Sequence, residues 1–424
     1  MAIQAELVEK RHEFKNQFPS RKVTELLNRL YFNSEVYKKK LAKTGYSPVL
    51  DITFDEFSNL PFTEKHELRE GGPLSMLAVP EEDVIRIHSS SGTTGKPVVI
   101  PYTQQDVDQW AQMMKRCYEL AGVTKRDRVH ITPGYGLWTA GIGFQAGVEK
   151  LGAMAVPMGP GNTDKQLEMM IDLKSSVLIG TSSYGLLLAE EIHSRGIKDK
   201  IHLKTGIFGS ERWGEKMRRK IEELLGIEAF DIYGLTEVYG PGIALDCKYH
   251  QGMHYWSDHL FMEIIDPITG DPLPPGELGE LVITTLTKEA MPLIRYRTRD
   301  LTRIINEPCL CGCPHPRLDR ILGRTDDMIK VKGVNIYPGQ VDNLLKEIQG
   351  LSSEYQIFIS RKEGRDKLLI KVEKEKHTSC INLEKIIEAD FKNKIGITVN
   401  VEVVDCGLLP RSEKKTKRVF DERE

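Results

Sequence analysis

The sequence predicts an α/β protein with a large N-terminal α/β domain, which includes a β-rich subdomain, and a small C-terminal α+β domain. Three observations predict this architecture. Helical periodicity alternates with short apolar runs in the first half of the chain, strand-like alternation broken by Pro/Gly turns follows at about 255–305, and the composition changes again after Asp326. Helices that alternate with buried strands indicate βαβ units around a mostly parallel sheet.

Length and composition limit the class of protein. At 424 residues the chain is too long for one ordinary core, so we expect about two to three domains. A hydrophobic content of 40%, a charged content of 28% and a net charge of −2 are typical of a soluble globular protein, and they give no reason to expect nucleic acid or an anionic membrane as partner. No apolar run reaches the roughly 18 residues of a membrane helix, and the N-terminus has no signal-peptide apolar region. We therefore expect a cytoplasmic protein.

The same periodicity places individual elements. In the N-terminal domain it predicts strands at 84–87, 129–132, 153–157, 176–179 and 205–208 and helices at 106–120, 163–173, 184–195 and 214–225. In the C-terminal part it predicts, in chain order, a helix at 339–348, strands at 355–359 and 367–372, a helix at 383–391 and a strand at 398–404. The change in composition places the boundary so that the domains are 1–325 and 326–424.

The most informative segment, residues 88–97, follows the first predicted strand and combines hydroxyl side chains, glycines and a lysine. Glycine allows tight turns that expose backbone N–H groups, and hydroxyls and an ammonium add further donors, so this composition suits a polyphosphate. The glycines lie too close together for a Walker P-loop, and Pro97 follows the lysine. Taken alone, such a run is more often a polar surface loop.

Further motifs follow downstream in a fixed order. They are Tyr-Gly-Leu-Thr-Glu at 233–237, Tyr-Arg-Thr-Arg-Asp at 296–300, Gly-Arg-Thr-Asp-Asp at 323–327 with Lys-Gly at 332–333, and Leu-Pro-Arg-Ser-Glu-Lys-Lys at 409–415. Together with 88–97, this series resembles the adenylate-forming superfamily of acyl-CoA synthetases, luciferases and peptide-synthetase adenylation domains. Segments 60–65, 135–137, 206–211 and 284–290 are similar to the phenylacetate–CoA ligase family in particular. The resemblance covers the chain from about residue 48 onward.

The resemblance implies a reaction in two steps. A carboxylate attacks the α-phosphate of ATP to give an acyl-adenylate and pyrophosphate, and coenzyme A then displaces AMP. The first step brings two anions together, so the site must supply N–H donors and cations, among them Mg²⁺. The resemblance assigns the phosphates of ATP to Ser90, Ser91, Gly92, Thr93, Thr94, Gly95 and Lys96.

The resemblance also assigns side chains around the nucleotide. The ring of Tyr233 flanks adenine, Thr236 contacts the α-phosphate and Glu237 ligates Mg²⁺, roles that suit a π-face, a hydroxyl and a hard carboxylate. Outside this motif context, Tyr233 would be interpreted as a core aromatic. Asp231 is expected to accept a hydrogen bond from the adenine amino group. The remaining expected base contacts are Gly234, Ser210 and Glu211.

Asp300 is the expected ribose ligand, because a carboxylate can accept from both the 2′- and the 3′-hydroxyl. Arg299 stands where the superfamily usually has glycine, and the sequence leaves open whether it has a role or is a solvated surface arginine. Arg324 is expected to contact ribose or phosphate. Gly333 is expected to let the backbone approach the pantetheine arm of coenzyme A.

The C-terminal tail supplies the expected adenylation lysine. Its spacing from residues 410–412 favours Lys415 as the catalytic cation, with Lys414 and Lys417 as rivals, although a basic tail is often simply solvated. The resemblance further implies that the small C-terminal domain is mobile and rotates about the domain boundary between the two half-reactions.

The acid is expected to bind among aromatic side chains. The resemblance places the acyl pocket at Tyr135, Gly136 and Phe208, with Trp138 beside them. An aromatic lining with few charges suits a flat aryl ring. The alternative is that these are ordinary core aromatics.

Seven cysteines in a chain of this length argue against a disulfide framework, yet three of them fall between residues 309 and 313. Soft thiolates with imidazole in a cytoplasmic protein indicate tetrahedral Zn²⁺ in a structural site that pins two loops together. Free thiols without a metal are the alternative, because C-x-C is tighter than the usual ligand spacing. The preferred ligands are Cys247, His254, Cys309 and Cys311, with Cys313, His250 and His315 as spares.

The sequence therefore predicts an ATP-dependent, AMP-forming ligase that joins an aryl acid, phenylacetate foremost, to coenzyme A. One alternative is coenzyme F390 synthetase-like adenylation of a cofactor phenol, which uses no coenzyme A. Another is a non-catalytic nucleotide-binding relative, which the intact motifs disfavour. Loading of an acid onto a carrier protein is disfavoured because the chain contains no carrier domain. Family members are often dimers, so a homodimer is one option for the assembly.

Overall fold

The computed structural model describes residues 15, 17–48, 51–90, 97–327, 329–331, 334–362, 365–375, 382–410 and 418–423. The chain forms two compact units. Unit 1 is Met1–Gly159 with Phe230–Arg320, and unit 2 is Pro160–Ala229 with Ile321–Glu424. The domain boundary expected at 325/326 stays a prediction.

The α-helices of the described residues, numbered in chain order, are α1 (Ser20–Asn33), α2 (Glu35–Ala42), α3 (Phe54–Ser58), α4 (Gln104–Leu120), α5 (Thr139–Leu151), α6 (Thr163–Asp172), α7 (Ser182–Ser194), α8 (Glu215–Leu225), α9 (Pro338–Lys346) and α10 (Leu383–Asp390).

The strands, numbered in the same way, are β1 (Arg86–Ser89), β2 (Val99–Tyr102), β3 (Arg128–Ile131), β4 (Met154–Pro157), β5 (Val177–Thr181), β6 (Thr205–Gly209), β7 (Glu228–Leu235), β8 (Gly240–Asp246), β9 (Met253–Tyr255), β10 (Leu260–Ile265), β11 (Gly279–Thr285), β12 (Tyr296–Thr302), β13 (Ile304–Ile305), β14 (Arg317–Leu318), β15 (Gly323–Arg324), β16 (Ile329–Val331), β17 (Val334–Ile336), β18 (Leu351–Lys362), β19 (Arg365–Lys374), β20 (Asn400–Val404) and β21 (Val419–Asp421).

These elements confirm the predicted α/β class. The helices and strands predicted in the N-terminal domain are all present, with bounds within about two residues of the expected ones. Strands β18 and β19 are longer than their apolar stretches predict, because their hairpin pairing continues from Leu351↔Lys374 to Lys362↔Arg365. Strand β21 is missed, since three residues are too few to show a period.

The motif at 233–237 begins inside a strand. Tyr233 and Gly234 lie within β7 itself. The strand continues because its antiparallel pairing with β8 extends to Leu235↔Gly240.

Unit 1 is largely antiparallel. Strand β8 pairs with β7 and β9, β9 pairs with β14, and β14 pairs with β13, while β10, β11 and β12 form a second antiparallel group in the predicted β-rich region. Strands β3 and β4 are parallel. Helices α4 and α5 pack closely because Gly143 has no side chain, and a Cβ there would lie 2.1 Å from Trp110 Cζ2.

Unit 2 has two hydrophobic cores. One lies among α6–α8 and the parallel strands β5 and β6 and includes Leu178, Ile192 and Phe208. The other lies between α9, α10 and a sheet in the order β20-β19-β18-β21. Within the unit, Arg212 joins the two chain segments, donating to Leu322 O at 2.8 Å and to Tyr355 Oη at 3.2 Å.

Over the described residues, no helix combines the length and the apolar character that crossing a membrane requires.

Candidate active site

Part of the predicted site lies outside the described residues. This part comprises Ser91, Gly92, Thr93, Thr94, Gly95 and Lys96 of the predicted phosphate loop, Gly333, and the tail lysines Lys414, Lys415 and Lys417. Their expected roles stay predictions.

Strands β1 and β2 form the base of the predicted phosphate loop. They pair antiparallel as far as Ser89↔Val99. Ser90 closes this pair, because its N–H donates to Val98 O at 2.9 Å and its Oγ accepts from the Val98 N–H at 3.0 Å. The Ser89 N–H donates to Leu137 O at 2.8 Å. The loop therefore starts from a hairpin, unlike the strand-to-helix turn of a Walker P-loop.

Tyr233 and Asp300, assigned separately to base and ribose, are joined directly. Tyr233 lies in β7 and Asp300 in β12, and the Tyr233 hydroxyl donates to Asp300 Oδ2 at 2.6 Å. This distance is typical of a charge-assisted hydrogen bond to a carboxylate. Asp300 is buried, and its N–H donates to Thr298 Oγ1 at 3.0 Å. The orientation of Asp300 is thus fixed from two sides.

Gly234 allows β7 and β8 to lie close together. A Cβ at this position would lie 2.0 Å from Gly240 O, so a side chain there would push the two strands apart. Thr236 lies two residues further along the chain, and its Oγ1 lies 3.4 Å from Oγ1 of Thr139, the first residue of α5. The positive end of the α5 dipole is therefore close to the hydroxyl expected at the α-phosphate. Thr139 was not identified from the sequence.

Glu237 is a buried carboxylate that faces a cation. Its side chain is 6% exposed, and Lys65 Nζ lies 2.9 Å from Glu237 Oε1 in an ion-pair contact, without the geometry of a directed hydrogen bond. A buried carboxylate requires a compensating positive charge, which Lys65 supplies here. Sequence reasoning missed Lys65 as a site residue, although it is the last residue of the family-like segment 60–65. We call Glu237 and Asp300, with their partners Lys65 and Tyr233, the carboxylate site.

Lys288 holds the backbone directly after Glu237. It is fully buried, its Nζ donates to Val238 O at 2.6 Å, and it lies 4.0 Å from the ring centroid of Tyr102 and 4.6 Å from that of Tyr239. Burial lowers the pKa of Lys288 to about 8. This lysine is also a residue of the site that sequence reasoning missed.

Arg299 has a partner, which answers a question that the sequence left open. Its backbone is left-handed, with φ +70°, the conformation that glycine adopts most easily. Its guanidinium pairs with the Glu64 carboxylate and lies 3.7 Å from Glu280, which also pairs with Arg297 at 2.7 Å. Arg299 is therefore part of an ion-pair network and not a solvated surface arginine.

The other expected base contacts have structural partners. Glu211 accepts from the Ser183 N–H at 2.7 Å and from Ser182 Oγ at 3.1 Å, at the N-terminus of α7, where the helix dipole favours a carboxylate. Ser210 has a left-handed backbone with φ +67°. Asp231 lies half-buried in β7. Their expected contacts with adenine stay predictions.

Arg324 forms a two-point ion pair with Asp326. Its Nε and Nη2 lie 2.8 Å from the two carboxylate oxygens. The pair fixes the guanidinium just before the expected domain boundary, and its contact with nucleotide stays a prediction.

The residues expected to bind the acid differ in burial. In unit 1, Gly136 has φ +95°, Trp138 is 55% exposed, and the Tyr135 hydroxyl is buried without a hydrogen-bond partner among the described residues. Burial raises the pKa of Tyr135 to about 12, so this hydroxyl is neutral. In unit 2, Phe208 is fully buried, with its ring centroid 5.8 Å from that of Trp213. Phe208 is thus a core aromatic here, and its contact with an acid stays a prediction.

Four cysteine and histidine side chains converge in unit 1. We call Cys247, His254, Cys309 and Cys311 the cysteine cluster; their ligand atoms all lie within 4.8 Å of one another. Cys247 Sγ lies 3.6 Å from Cys309 Sγ, and Cys311 Sγ lies 3.2 Å from His254 Nε2. Tetrahedral zinc with sulfur and nitrogen ligands places neighbouring ligand atoms about 3.6–3.8 Å apart, so the donor set and its spacing fit that ion.

The histidine of the cysteine cluster is oriented by a second contact. His254 Nδ1 donates to His315 O at 2.8 Å, which leaves the Nε2 lone pair directed at Cys311. The spare side chains have other partners, since His250 pairs with Asp246 at 2.7 Å and His315 Nδ1 lies 3.0 Å from Ser257 Oγ. Cys313 contributes its backbone N–H to Cys311 Sγ at 3.4 Å. The preferred ligand set of the sequence analysis is the set that the structure brings together.

Comparison with known families matches most of the chain to two models. Residues 25–287 match the family described as AMP-binding enzyme, and residues 333–423 match the family described as AMP-binding enzyme C-terminal domain.

Curated relatives align over nearly the full length. The phenylacetate-coenzyme A ligases of Pseudomonas putida and Escherichia coli are each 42% identical to this chain, over 94% of it and 92% of their own length. The phenylacetate-coenzyme A ligase of Thermus thermophilus is 39% identical over 100% of both chains.

Solved structures show the same fold. A crystal structure of 2-hydroxyisobutyryl-CoA ligase in the postadenylation state, in complex with an acyl-AMP, superposes with a TM-score of 0.86 at 26% identity and covers 95% of this chain and 88% of that one. ATP-bound MatB from Rhodopseudomonas palustris superposes with a TM-score of 0.59 at 19% identity, over 82% of this chain and 67% of that one, a likeness of fold alone.

Proposed function

This chain belongs to the phenylacetate–coenzyme A ligase family of AMP-binding enzymes, and we propose from that membership that it joins an aryl carboxylic acid to coenzyme A through an acyl-adenylate, at the expense of ATP. Phenylacetate is the first substrate to test. The observation that carries the proposal is the carboxylate site, which has one buried carboxylate paired with a cation and a second bound to the tyrosine expected beside adenine.

In this proposal each described residue has one task in adenylation. Asp300, held by Tyr233 and by its own N–H contact with Thr298, accepts hydrogen bonds from the ribose hydroxyls. Thr236, beside the first turn of α5, donates to an oxygen of the α-phosphate. Preorganised donors of this kind stabilise the charge that develops as the acid attacks phosphorus.

The proposal includes Mg²⁺ at Glu237. A hard, buried carboxylate suits the donor chemistry of that ion, and the ammonium of Lys65 that now balances its charge is on a flexible side chain that the ion can replace. When bound, Mg²⁺ neutralises phosphate charge. Glu237 holds the ion, and Lys288 fixes the backbone that follows it.

The cysteine cluster is proposed to bind structural Zn²⁺. Three thiols and one imidazole fill the four positions of a tetrahedral site, so no position is left for a substrate. The cluster joins the turn after β8 to the loop between β13 and β14, and the ion contributes to stability rather than to chemistry.

A pyrophosphate-release screen tests the function. The purified chain is supplied with ATP and Mg²⁺ and with phenylacetate, benzoate, hydroxylated and indolyl aryl acids, acetate or a long-chain fatty acid, with and without coenzyme A. We expect kcat/KM for aryl acids to exceed that for acetate by at least about a hundredfold, because an aromatic pocket discriminates by buried apolar area. Turnover is expected to require coenzyme A.

Other outcomes of the screen would overturn the proposal. Equal activity on acetate contradicts the aryl pocket, and turnover on a phenol without coenzyme A favours the cofactor-adenylating alternative. Nucleotide binding without pyrophosphate release from any acid would make the chain a binding module. The cytoplasmic location and the homodimer expected from the sequence stay predictions.

A further inference from the structure

A short N-terminal segment, residues 58–65, is held by a buried arginine, Arg295, which directly precedes β12. Arg295 is 2% exposed, and its Nη1 donates to Ser58 O and, at 2.8 Å, to Leu60 O. Its guanidinium carbon lies 4.2 Å from the ring centroid of Phe62, and its charge is balanced by buried Glu263 at 3.2 Å. A buried guanidinium is stable only when it is paired and hydrogen-bonded, so these contacts hold the segment in one place.

The backbone of the same segment is bound next to the start of β12. The Thr63 N–H donates to Arg295 O and the Arg297 N–H donates to Thr63 O, both at 3.0 Å. The Thr63 hydroxyl donates to Ile294 O at 2.7 Å. These contacts fix the chain direction immediately before Glu64 and Lys65.

Glu64 is held by a strained residue. Arg299 keeps a left-handed backbone, which is unfavourable for a residue with a Cβ, and its guanidinium pairs with Glu64. Arg297 lies 3.8 Å from the same carboxylate. Two arginines of β12 therefore anchor the residue that precedes Lys65, while Asp300, next to Arg299, belongs to the carboxylate site.

The end of this segment reaches Glu237, the carboxylate proposed to bind Mg²⁺. Lys65 Nζ lies 2.9 Å from Glu237 Oε1, and the lysine side chain is 40% exposed whereas the glutamate side chain is 6% exposed. The lysine side chain is therefore partly exposed beside a buried carboxylate, and its long, flexible stem can shift the ammonium by a few ångströms. A cation that competed for Glu237 would release Lys65 to pair with the anionic ligands of that cation.

We infer that Lys65 is a catalytic residue of adenylation, that it neutralises Glu237 in the free enzyme and contacts the polyphosphate of bound ATP, and that Arg299 positions it through Glu64. The inference rests on the proposed function and adds a cation from the N-terminal part of the chain to the one expected from the tail.

The chemical step that Lys65 assists is balanced without a proton transfer. An oxygen of the acid forms a bond to the α-phosphorus, the bond from that phosphorus to the bridging oxygen of pyrophosphate breaks, and the electron pair leaves with pyrophosphate. Lys65 forms no covalent bond. Its ammonium stabilises the negative charge that grows on the leaving group, as fixed cations do in other phosphate transfers.

The direct test replaces Lys65 and measures binding as well as rate. Lys65→Met, Lys65→Arg and the exposed control Lys39→Met are compared for the Kd of ATP with Mg²⁺, the Kd of AMP, phenylacetate-dependent pyrophosphate release, and thioester formation from pre-made phenylacetyl-adenylate. We expect Lys65→Met to weaken the binding of ATP about tenfold or more and to slow pyrophosphate release about a hundredfold. AMP affinity and thioester formation are expected to stay within about twofold, because neither involves the β- and γ-phosphates, and Lys65→Arg is expected to recover much of the loss.

The positioning role is tested by Arg299→Gly. Glycine accepts φ +70°, so this variant relieves the backbone strain while it removes one guanidinium from Glu64 and Glu280, and Arg297 remains near both carboxylates. It should therefore stay folded, yet pyrophosphate release should fall about tenfold with AMP affinity unchanged. Glu64→Gln should act similarly, and neither loss should add fully to that of Lys65→Met, because all three act through one contact.

The failures are distinguishable. If the wild type releases pyrophosphate and Lys65→Met does so at the same rate and with the same Kd for ATP, the role of Lys65 is overturned and the proposed function still stands. Absence of release from wild type with any acid overturns the proposed function itself. If Lys65→Met weakens the binding of ATP and of AMP equally, Lys65 is a structural residue. If Arg299→Gly keeps full activity, Arg299 has no positioning role.

Discussion

The carboxylate site and the cysteine cluster both belong to unit 1, but they differ in how far the protein completes them. In the cysteine cluster four soft ligand atoms converge, and the imidazole is oriented by a carbonyl behind it. In the carboxylate site one hard carboxylate faces a lysine with a partly exposed side chain. The first arrangement would surround the proposed zinc ion, and the second would leave most contacts of the proposed Mg²⁺ to solvent and ligand.

Because of this difference, we expect the cysteine cluster to affect the stability of the protein and the carboxylate site to affect its turnover. A complete set of protein ligands makes the binding energy of the metal part of the folding energy. A single carboxylate would bind an ion that arrives with the nucleotide, so we expect that ion to contribute to the rate of adenylation. We therefore expect substitutions in the carboxylate site to change the rate of adenylation and substitutions in the cysteine cluster to change stability.

The largest effect on rate is expected from Glu237→Gln. Removing the charge that holds Mg²⁺ should slow pyrophosphate release by roughly 10²–10³. The melting temperature should be unchanged or higher, because a buried charge is removed. Steady-state pyrophosphate release and thermal unfolding measure both quantities. A variant that unfolds would show that the two sites do not differ as described.

The next effect is expected from Lys415→Ala, in the tail. Loss of the adenylation lysine should slow the first half-reaction about a hundredfold, while thioester formation from pre-made acyl-adenylate stays nearly intact, since the resemblance assigns that step to the other face of the small domain. Lys414→Ala and Lys417→Ala are the matched controls and should change both steps less. If Lys414→Ala or Lys417→Ala causes the larger loss of adenylation, that lysine and not Lys415 is the adenylation lysine. Equal loss in both half-reactions would argue against domain rotation.

A moderate effect is expected from Tyr233→Phe. The ring and its contact with adenine are retained, but Asp300 loses the hydrogen bond at 2.6 Å. A hydrogen bond to a charged group contributes roughly 1.5–3 kcal/mol, so adenylation should slow about tenfold or more. The comparison of ATP with 2′-deoxy-ATP is the sharper measurement. The ratio of kcat/KM for ATP to kcat/KM for 2′-deoxy-ATP should shrink if Asp300 loses its orientation, and an unchanged ratio would count against this role.

The smallest effect on rate is expected from Cys309→Ser or Cys311→Ser. Purified wild type should contain close to one zinc per chain, and both variants should lose it and melt about 5–10 °C lower. Their rate at a permissive temperature should stay within about threefold, because the cluster has no open position for a substrate. Cys313→Ser is the control and should keep the metal. Zinc-free wild type, or variants of full stability, would refute the structural role.

The sequence predicted the α/β class and most elements of the fold, and it named the four side chains that converge in the cysteine cluster, while the roles expected of the acidic residues stay predictions. These follow from local period, from residue chemistry and from motif order, all of which are visible along one chain. Lys65 and Lys288 were missed because they meet residues 237 and 238 from distant segments, and no local pattern marks such a pairing. Arg299 was recognised as a departure, but its partner Glu64 required the three-dimensional structure.

The burial of side chains is another property that the sequence did not predict. A sequence pattern does not distinguish an aromatic side chain that lines a pocket from one that fills a core, and the structure shows Phe208 fully buried against Trp213, with Trp138 largely exposed. Glu211 likewise bonds the start of α7, a task that the motif alone does not reveal.

The proximity of two thiols in the cysteine cluster also determines how the protein should be handled. Cys247 Sγ and Cys309 Sγ are 3.6 Å apart, so in protein that lacks the proposed zinc a small movement would let air oxidation join them. Such a cross-link would close a loop of about sixty residues and, by chain-entropy arguments, restrict the unfolded chain. A preparation exposed to chelator and then to air would therefore become resistant to zinc reloading while keeping its fold. Storage with zinc and a reductant, without chelator, follows from one interatomic distance.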